Sequence, residues 1–474
     1  MSSPTATQAP LKAGTLVYTP ASLRILFVWL LAGDVLFMLC EQIESRILPI
    51  ILKSHDATDT QIALIVTSVQ SIVTCIAAPI VSYHSDRTRS KWGRRIPYIV
   101  WTLPFFTLAM AATPFAPELA TWASGIPLLR DCMSWFSWSP VILTFALVAI
   151  FYRFLQVIIV SMFFALFRDV VPMSHMGRFL ALFRICGSLS TFLVTFWLIG
   201  LAETHSRSIF VVFAILNFVG FSLICLKVKE GNYPPDADHI AAQQRAAVWT
   251  RFGRAIRTFL KDAYTDPLIF WTFCARGFAT AATGISSFIV FFPQRELGIP
   301  LDQAGMILSA PIFIWIIAAY PIGRLMDRVG AAPILGFALM LSTVNYAVSF
   351  FAVSGPVTFA VSSIIGGVGY WAMMLSQLQL AQEVFPVARY GQLSSANLLQ
   401  TSVLLAFLIT PLVGLSLDFL RNLELIIALP LAGDLAVGPY RSVNLMLALV
   451  FILAWLCLQK VQRLRAARAA LASV

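Results

Sequence analysis

What most constrains this chain is a series of about twelve apolar runs, each long enough to cross a bilayer as a helix. In hydrocarbon every backbone N–H and C=O must be paired within the spanning structure, so such runs have to be helical or belong to a closed barrel. Their length of roughly 20 residues selects the helix. Spans are predicted over 24–51, 61–83, 97–116, 140–167, 178–201, 208–227, 267–292, 303–324, 331–353, 356–380, 392–417 and 440–459. With 59% of 474 residues hydrophobic and 12% charged, a soluble core could not hide them. The fold class is an all-α membrane protein.

Charge then sets the orientation. The connection from Ser85 to Pro97 holds five cations, Arg87, Arg89, Lys91, Arg94 and Arg95, between two apolar runs. In a multi-pass protein such a cluster marks the cytoplasmic side. Sorting all 33 Lys and Arg by the span pattern puts twenty-four on that side, seven on the other, and Arg153 and Arg276 inside spans. Both termini are therefore expected in the cytoplasm, and the protein in a plasma (inner) membrane. The net charge of +11 follows from these loops and gives no reason to invoke nucleic acid. Seven cysteines, mostly within apolar runs, supply neither a disulfide framework nor a metal-ligand spacing.

An internal repeat divides the spans six and six. Asp169-x-x-Pro172 followed by Gly177 is matched by Glu383-x-x-Pro386 followed by Gly391. Asp86-Arg87 before Gly93 is echoed by Asp327-Arg328 before Gly330. The two pairs are 83 and 56 residues apart, and an insertion over 114–140 carrying Trp122, Trp135 and Trp138 accounts for the difference. Tryptophans there suit the membrane interface. The expected organisation is a cytoplasmic tail over 1–23, a six-helix bundle over 24–228, a cytoplasmic linker over 229–266, a second, pseudo-symmetric six-helix bundle over 267–459 and a basic tail over 460–474. Within the linker, 246–264 alternates cations with apolar residues, as an amphipathic helix on an anionic leaflet would. Paired halves of this kind build alternating access around a midplane site.

Ionisable groups deep in a membrane default to functional candidates. Asp34 and Glu41 are seven residues apart in the first span, which puts them about 20° apart around the helix and about 10 Å apart along it. Glu44 extends the stripe and reads as structural. Arg153 and Arg276 lie near the middle of their spans. A carboxylate in a poorly hydrated cavity is pulled up by desolvation and down by a nearby Arg, so it can exchange a proton near neutral pH. Asp34 and Glu41 are thus the candidate proton-coupling groups, with Arg153 as charge partner. Arg153, Gln156, Arg276, Gln377 and Asn397 are candidate solute ligands. Gln70, Asn345, Gln379 and Gln400 are further polar side chains at depth. Each of these amides can equally join two helices, and the charged groups can equally form buried structural ion pairs.

Residues 82–98 carry Ser-Asp-Arg-Thr-Arg-Ser-Lys-Trp-Gly-Arg-Arg, and 229–235 read Lys-Glu-Gly-Asn-Tyr-Pro-Pro. The first resembles the loop between spans two and three of the major facilitator superfamily, in the form carried by glycoside-pentoside-hexuronide:cation symporters and sucrose:proton symporters. The second is similar to the segment after their sixth span. The resemblance implies a major facilitator fold, a sugar or glycoside such as sucrose or maltose as substrate, and cation coupling. It also implies that Asp86, Arg87, Gly93, Arg94 and Arg95, with Asp327 and Arg328 in the second copy, act as a conformational latch. In that second copy Ala331-Ala332-Pro333 replaces the later basic residues, so its latch should be weaker.

Two other readings stand beside sugar symport: a proton-driven exporter of apolar compounds, and a membrane sensor that does not transport. An enzyme is disfavoured, since no Ser/His/Asp, Cys/His or metal spacing appears. The expected partners are a small-molecule sugar and membrane lipids, the expected state is monomeric, and no cofactor is called for beyond a proton or sodium as coupling ion.

Overall fold

The computed structural model describes residues 11–13, 15–88, 90–135, 137–231, 264–386, 390–421, 423, 425–429 and 433–472. Among the described residues twelve helices are long and apolar enough to cross a membrane. They are α1 (Pro20–Ser54), α2 (Asp59–Ala78), α3 (Ile96–Ser124), α4 (Pro140–Val170), α5 (Arg178–Leu198) and α6 (Ala202–Lys227), then α7 (Pro267–Ser286), α8 (Leu301–Val329), α9 (Ala331–Ala352), α10 (Pro356–Val384), α11 (Ala396–Arg421) and α12 (Ser442–Leu471). Among the described residues there are also two hairpins. β1 (Leu11–Ala13) pairs antiparallel with β2 (Leu16–Tyr18), and β3 (Leu425–Leu429) with β4 (Gly433–Val437), Leu425 facing Val437.

Local chemistry explains the helix starts. Thr58 and Gln61 form a reciprocal capping box, the Gln61 N–H donating to Thr58 Oγ1 at 3.1 Å and the Thr58 N–H to Gln61 Oε1 at 2.9 Å, so α2 begins at Asp59. Pro140 follows the cap Ser139, and Pro267 follows the cap Asp266; proline fits a first helical position, where no amide partner is needed. α8 and α9 are parted by Gly330, which adopts φ +84°, a conformation costly for a residue with a Cβ.

Element limits come out differently at three places. The run expected to continue to 292 stops at Ser286, and Phe291–Glu296 forms a separate short helix. The stretch over 114–140 is helical, as a continuation of α3 and a short helix Pro127–Ser134, with Trp122 and Trp135 exposed. The tail expected over 460–474 is a continuation of α12 as far as Leu471. The amphipathic helix expected over 246–264 falls on 232–263, which lie outside the described residues except for its last position, Tyr264.

Contacts gather the chain into two compact units. Unit 1 comprises Met1–Glu44, Ile76–Thr191 and Arg207–Ala242. Its interior is built on phenylalanine: Phe163 packs on Phe167 and Phe221, and Phe167 on Phe179 and Phe183, at ring separations of 4.6 to 5.5 Å. Unit 2 comprises Ser45–Cys75, Phe192–Ser206 and Gln243–Val474, so it holds the later part of α1, most of α2 and the end of α5 together with α7 to α12. Ile269, Phe273, Ala381, Phe385, Leu393 and Ala396 form one of its buried clusters. Three spans in this unit contain a widened π-helical turn, at Leu64–Ser68, Val194–Leu198 and Leu405–Ile409. Such turns interrupt regular pairing and often occur at functional places. Large apolar side chains such as Trp101, Phe337 and Phe407 are exposed, as residues facing lipid should be.

Candidate functional site

A buried polar cluster of unit 1 lies between α1 and α4. Arg153 is buried and donates from Nη2 to Glu44 Oε2 at 2.6 Å and from Nη1 to Gln156 Oε1 at 2.5 Å. Spacing explains the second contact, since residues three apart on a helix are surface neighbours. Glu44, read from sequence as structural, is thus the direct partner of Arg153, while Glu41 stands in the field of the same guanidinium. Asp34 is 1% exposed, and neither carboxylate oxygen has a hydrogen-bond partner among the described residues. The charges acting on it are Glu41 and Arg184. Along one turn of α4, Tyr152 Oη, Arg153 Nε and Gln156 Nε2 are likewise buried with no partner among the described residues. Tyr152 is fixed by stacking on Phe106, ring centres 4.9 Å apart.

The remaining candidate solute ligands lie in unit 2. Arg276 sits over the Phe385 ring, 5.9 Å from its centre. Gln377 accepts from Thr280 Oγ1 at 3.3 Å and donates to Met374 Sδ at 3.1 Å, the first of these joining α10 to α7. Asn345 bonds the Ser362 carbonyl at 3.1 Å, joining α9 to α10. Asn397 is buried, and its Nδ2 has no partner among the described residues.

The basic loop is organised by two acids that were not among the candidates. The Glu230 carboxylate accepts the backbone N–H groups of Arg94 and Arg95, each at 2.8 Å, and of Ile96 at 2.6 Å. A negative charge at the start of α3 meets unpaired donors and a favourable helix dipole together. Gly93 has φ +105°, and a Cβ there would lie 2.7 Å from Glu230 Cβ, so only glycine fits. Asp169, the repeat acid on α4, receives Arg94 Nε at 2.9 Å, Arg94 Nη2 at 2.5 Å and Arg95 Nε at 3.3 Å. Arg95 also donates to the buried Ser85 hydroxyl. The side chains of Asp86 and Arg87 lie outside the described residues. In the second copy Asp327 and Arg328 are exposed.

Unit 2 contains a polar cluster at the start of α2 that was not among the sequence candidates. Asp59 is fully buried, accepts Lys53 Nζ at 2.7 Å and Tyr440 Oη at 2.9 Å, and pairs with Arg421. Asp418 accepts the Asp59 N–H at 2.8 Å, the Thr60 N–H at 2.9 Å and the Thr60 hydroxyl at 2.6 Å, capping α2 from α11. Burial, with the Asp59 charge beside it, pushes the Tyr440 phenol up, so it stays a donor. Nearby, Glu296 accepts the Arg441 N–H at 2.7 Å, and Arg441 Nη1 donates to the Phe350 carbonyl at 2.8 Å. Only the capping box at Thr58 hinted at this place in the sequence.

Solved structures share this architecture. The nucleoside transporter NupG matches with a TM-score of 0.61 at 16% identity, over 92% of this chain and 98% of that one. A bacterial homolog of the human lysosomal transporter Spinster, inward-facing and unoccupied, matches with a TM-score of 0.66 at 12% identity, over 94% and 99%. A bacterial homologue of the iron transporter ferroportin, inward-facing, gives 0.58 at 16%, over 92% and 98%. No curated protein sequence matches the chain. The family profile described as Major Facilitator Superfamily matches residues 30–411. With twelve spans, a matching fold and most of its length under that profile, the chain belongs to the Major Facilitator Superfamily and is a multi-pass secondary transporter of small molecules rather than an enzyme.

Proposed function

We propose that this transporter carries a small hydroxylated solute, a sugar or glycoside, together with a proton, with Asp34 as the proton-carrying group. The observation behind this is the environment of Asp34: a fully buried carboxylate whose two oxygens meet no donor among the described residues. Ionised, it would lack a hydrogen-bond donor among the described residues and would feel Glu41 as well as Arg184; protonated, it costs far less. Glu44 differs, because Arg153 already neutralises it at 2.6 Å. Glu41 lies between the two on the same stripe and feels Arg153, so it can link proton occupancy at Asp34 to events at the ion pair.

The unpartnered donors of Tyr152, Arg153 and Gln156 suit an acceptor-rich solute. A hydroxyl that draws Arg153 away from the acids would favour proton uptake, which couples the two bindings positively. The motif loop over 82–98 supports a sugar, and the cation distribution supports placing the motif end and both termini in the cytoplasm.

The test is uptake in proteoliposomes under a proton or a sodium gradient, with labelled sucrose, maltose and a nucleoside. We expect a proton gradient to drive accumulation of a sugar, and Asp34→Asn to abolish accumulation while preserving exchange of internal for external solute. Accumulation by the Asp34→Asn variant, or drive by sodium alone, would overturn the assignment. Outward pumping of an apolar dye without sugar uptake would favour the exporter.

A further inference from the structure

The loop over 330–333 lacks the basic residues of its counterpart, yet the structure supplies a guanidinium from elsewhere. Glu383, the repeat equivalent of Asp169, accepts the Ala331 N–H at 2.8 Å, capping α9. Its second oxygen accepts Arg465 Nη1 at 3.0 Å. Arg465 stands on the part of α12 that runs through the basic stretch over 460–474. One turn further on, Arg468 pairs with Asp266, which itself caps α7 by accepting the Leu268 N–H at 2.9 Å. Two arginines three apart on α12 therefore hold the two carboxylates that cap α7 and α9.

The parallel with the first copy is chemical. There Arg94 and Arg95 of the loop hold Asp169, and a separate acid, Glu230, caps α3. Here one acid does both tasks, and its cation comes from the end of the chain's last span. Asp327 and Arg328, the residues that repeat the motif in sequence, are exposed, and the cation on Glu383 is Arg465.

We propose that Arg465, assisted by Arg468, is a positioning residue of the transport cycle: it completes the second copy of the latch by clamping the starts of α7 and α9 to the end of α12. This rests on the transporter reading only for its role in the cycle, since the clamp itself can be measured without any solute. Native cysteines can report on it, because Cys274 on α7 and Cys457 on α12 lie eight residues, about two helical turns, from Asp266 and Arg465 of the clamp.

The experiment is maleimide labelling of Cys274 and Cys457 in the purified full chain, read by mass spectrometry, with hydrogen exchange of the first turn of α9. The Arg465–Glu383 pair is partly solvated, so its loss should raise both rates about threefold to fivefold. Raising the salt should speed labelling of the wild type but not of Arg465→Ala, a dependence that packing alone would not show. Arg465→Lys should rescue partly, and the exchanged pair Glu383→Arg with Arg465→Glu should restore more than either single change. In proteoliposomes Arg465→Ala should lower the maximal rate and leave the half-saturating concentration unchanged. Unaltered labelling and exchange in Arg465→Ala would overturn the clamp, and no added recovery in the exchanged pair would do the same. An intact clamp effect with no transported solute found would instead count against the function proposed above.

Discussion

The start of α3 and the start of α2 are built alike and serve different ends. Each is capped by a carboxylate from far along the chain, Glu230 in one case and Asp418 in the other, and each has arginine bound to a buried acid beside it. The difference lies in where the partners come from. Around α3 they are Ser85, Asp169 and Glu230, all within the first six spans and their flanks. Around α2 they are Lys53 and Asp59 from the first two spans with Asp418, Arg421 and Tyr440 from the last two and their flanks. In an alternating-access protein, groups joining the two halves of the chain must separate when that end opens, whereas groups within one half can stay joined. If the first six spans move against the last six, the first cluster acts as a brace and the second as a gate, and the following changes test that distinction.

The largest effect should come from Asp59→Asn. It leaves the nearly buried Lys53 without its carboxylate, while Arg421, 40% exposed, still has Asp418 beside it, so the loss is about 3 kcal/mol at most. The gate reading expects hydrogen exchange at the start of α2 to rise by two orders of magnitude or so, with the start of α3 unchanged. A rise at both places would mean general destabilisation, and no rise at α2 would remove the gate.

Glu230→Gln should act more weakly and in the opposite sense. A neutral amide keeps one acceptor oxygen but loses the charge–dipole term, at a cost of about 1 to 2 kcal/mol. The expected result is a lower melting temperature in detergent and faster exchange over 94–99, with exchange at the start of α2 and transport per folded molecule unaffected. If Glu230→Gln opens the start of α2 as Asp59→Asn does, the two clusters are not separable in role and the distinction fails.

Much of this was readable before the structure, for reasons particular residues make plain. Spans of about 20 apolar residues leave few alternatives, and the repeat pairing Asp169 with Glu383 marked two acids that both proved to hold arginine. Arg153 and Gln156 were legible as a pair because three-residue spacing makes neighbours on any helix. Partner choice across helices was not legible. Glu41 and Glu44 are three apart, and only the depth and rotation of α4 decide that Arg153 meets Glu44. Asp59 looked like a loop residue because it follows a span end, and its partners on α11 and beyond lie more than 350 positions away. Arg465 was hidden for a different reason: a basic run after an apolar one reads as a tail, and composition cannot say that the helix continues beneath it.

The smallest effect sharpens the gate rather than breaking it. Glu296 lies outside the spans, close to Tyr440, and burial pushes its carboxyl up from the usual 4.5, opposed in part by the Arg441 N–H and guanidinium. A carboxyl that binds its proton more tightly when folded adds stability below its unfolded value and loses it as pH rises through the folded one. The wild type should therefore lose a little stability as pH climbs from about 4.5 into the window above it, and Glu296→Gln, permanently neutral, should flatten that slope. Melting temperature in detergent against pH measures it directly. Because Arg441 adjoins Tyr440, the same titration should slightly loosen the start of α2 and leave the start of α3 untouched. A pH slope that survives in Glu296→Gln would place the titrating group elsewhere, and a slope felt equally at both helix starts would show that it does not belong to the gate.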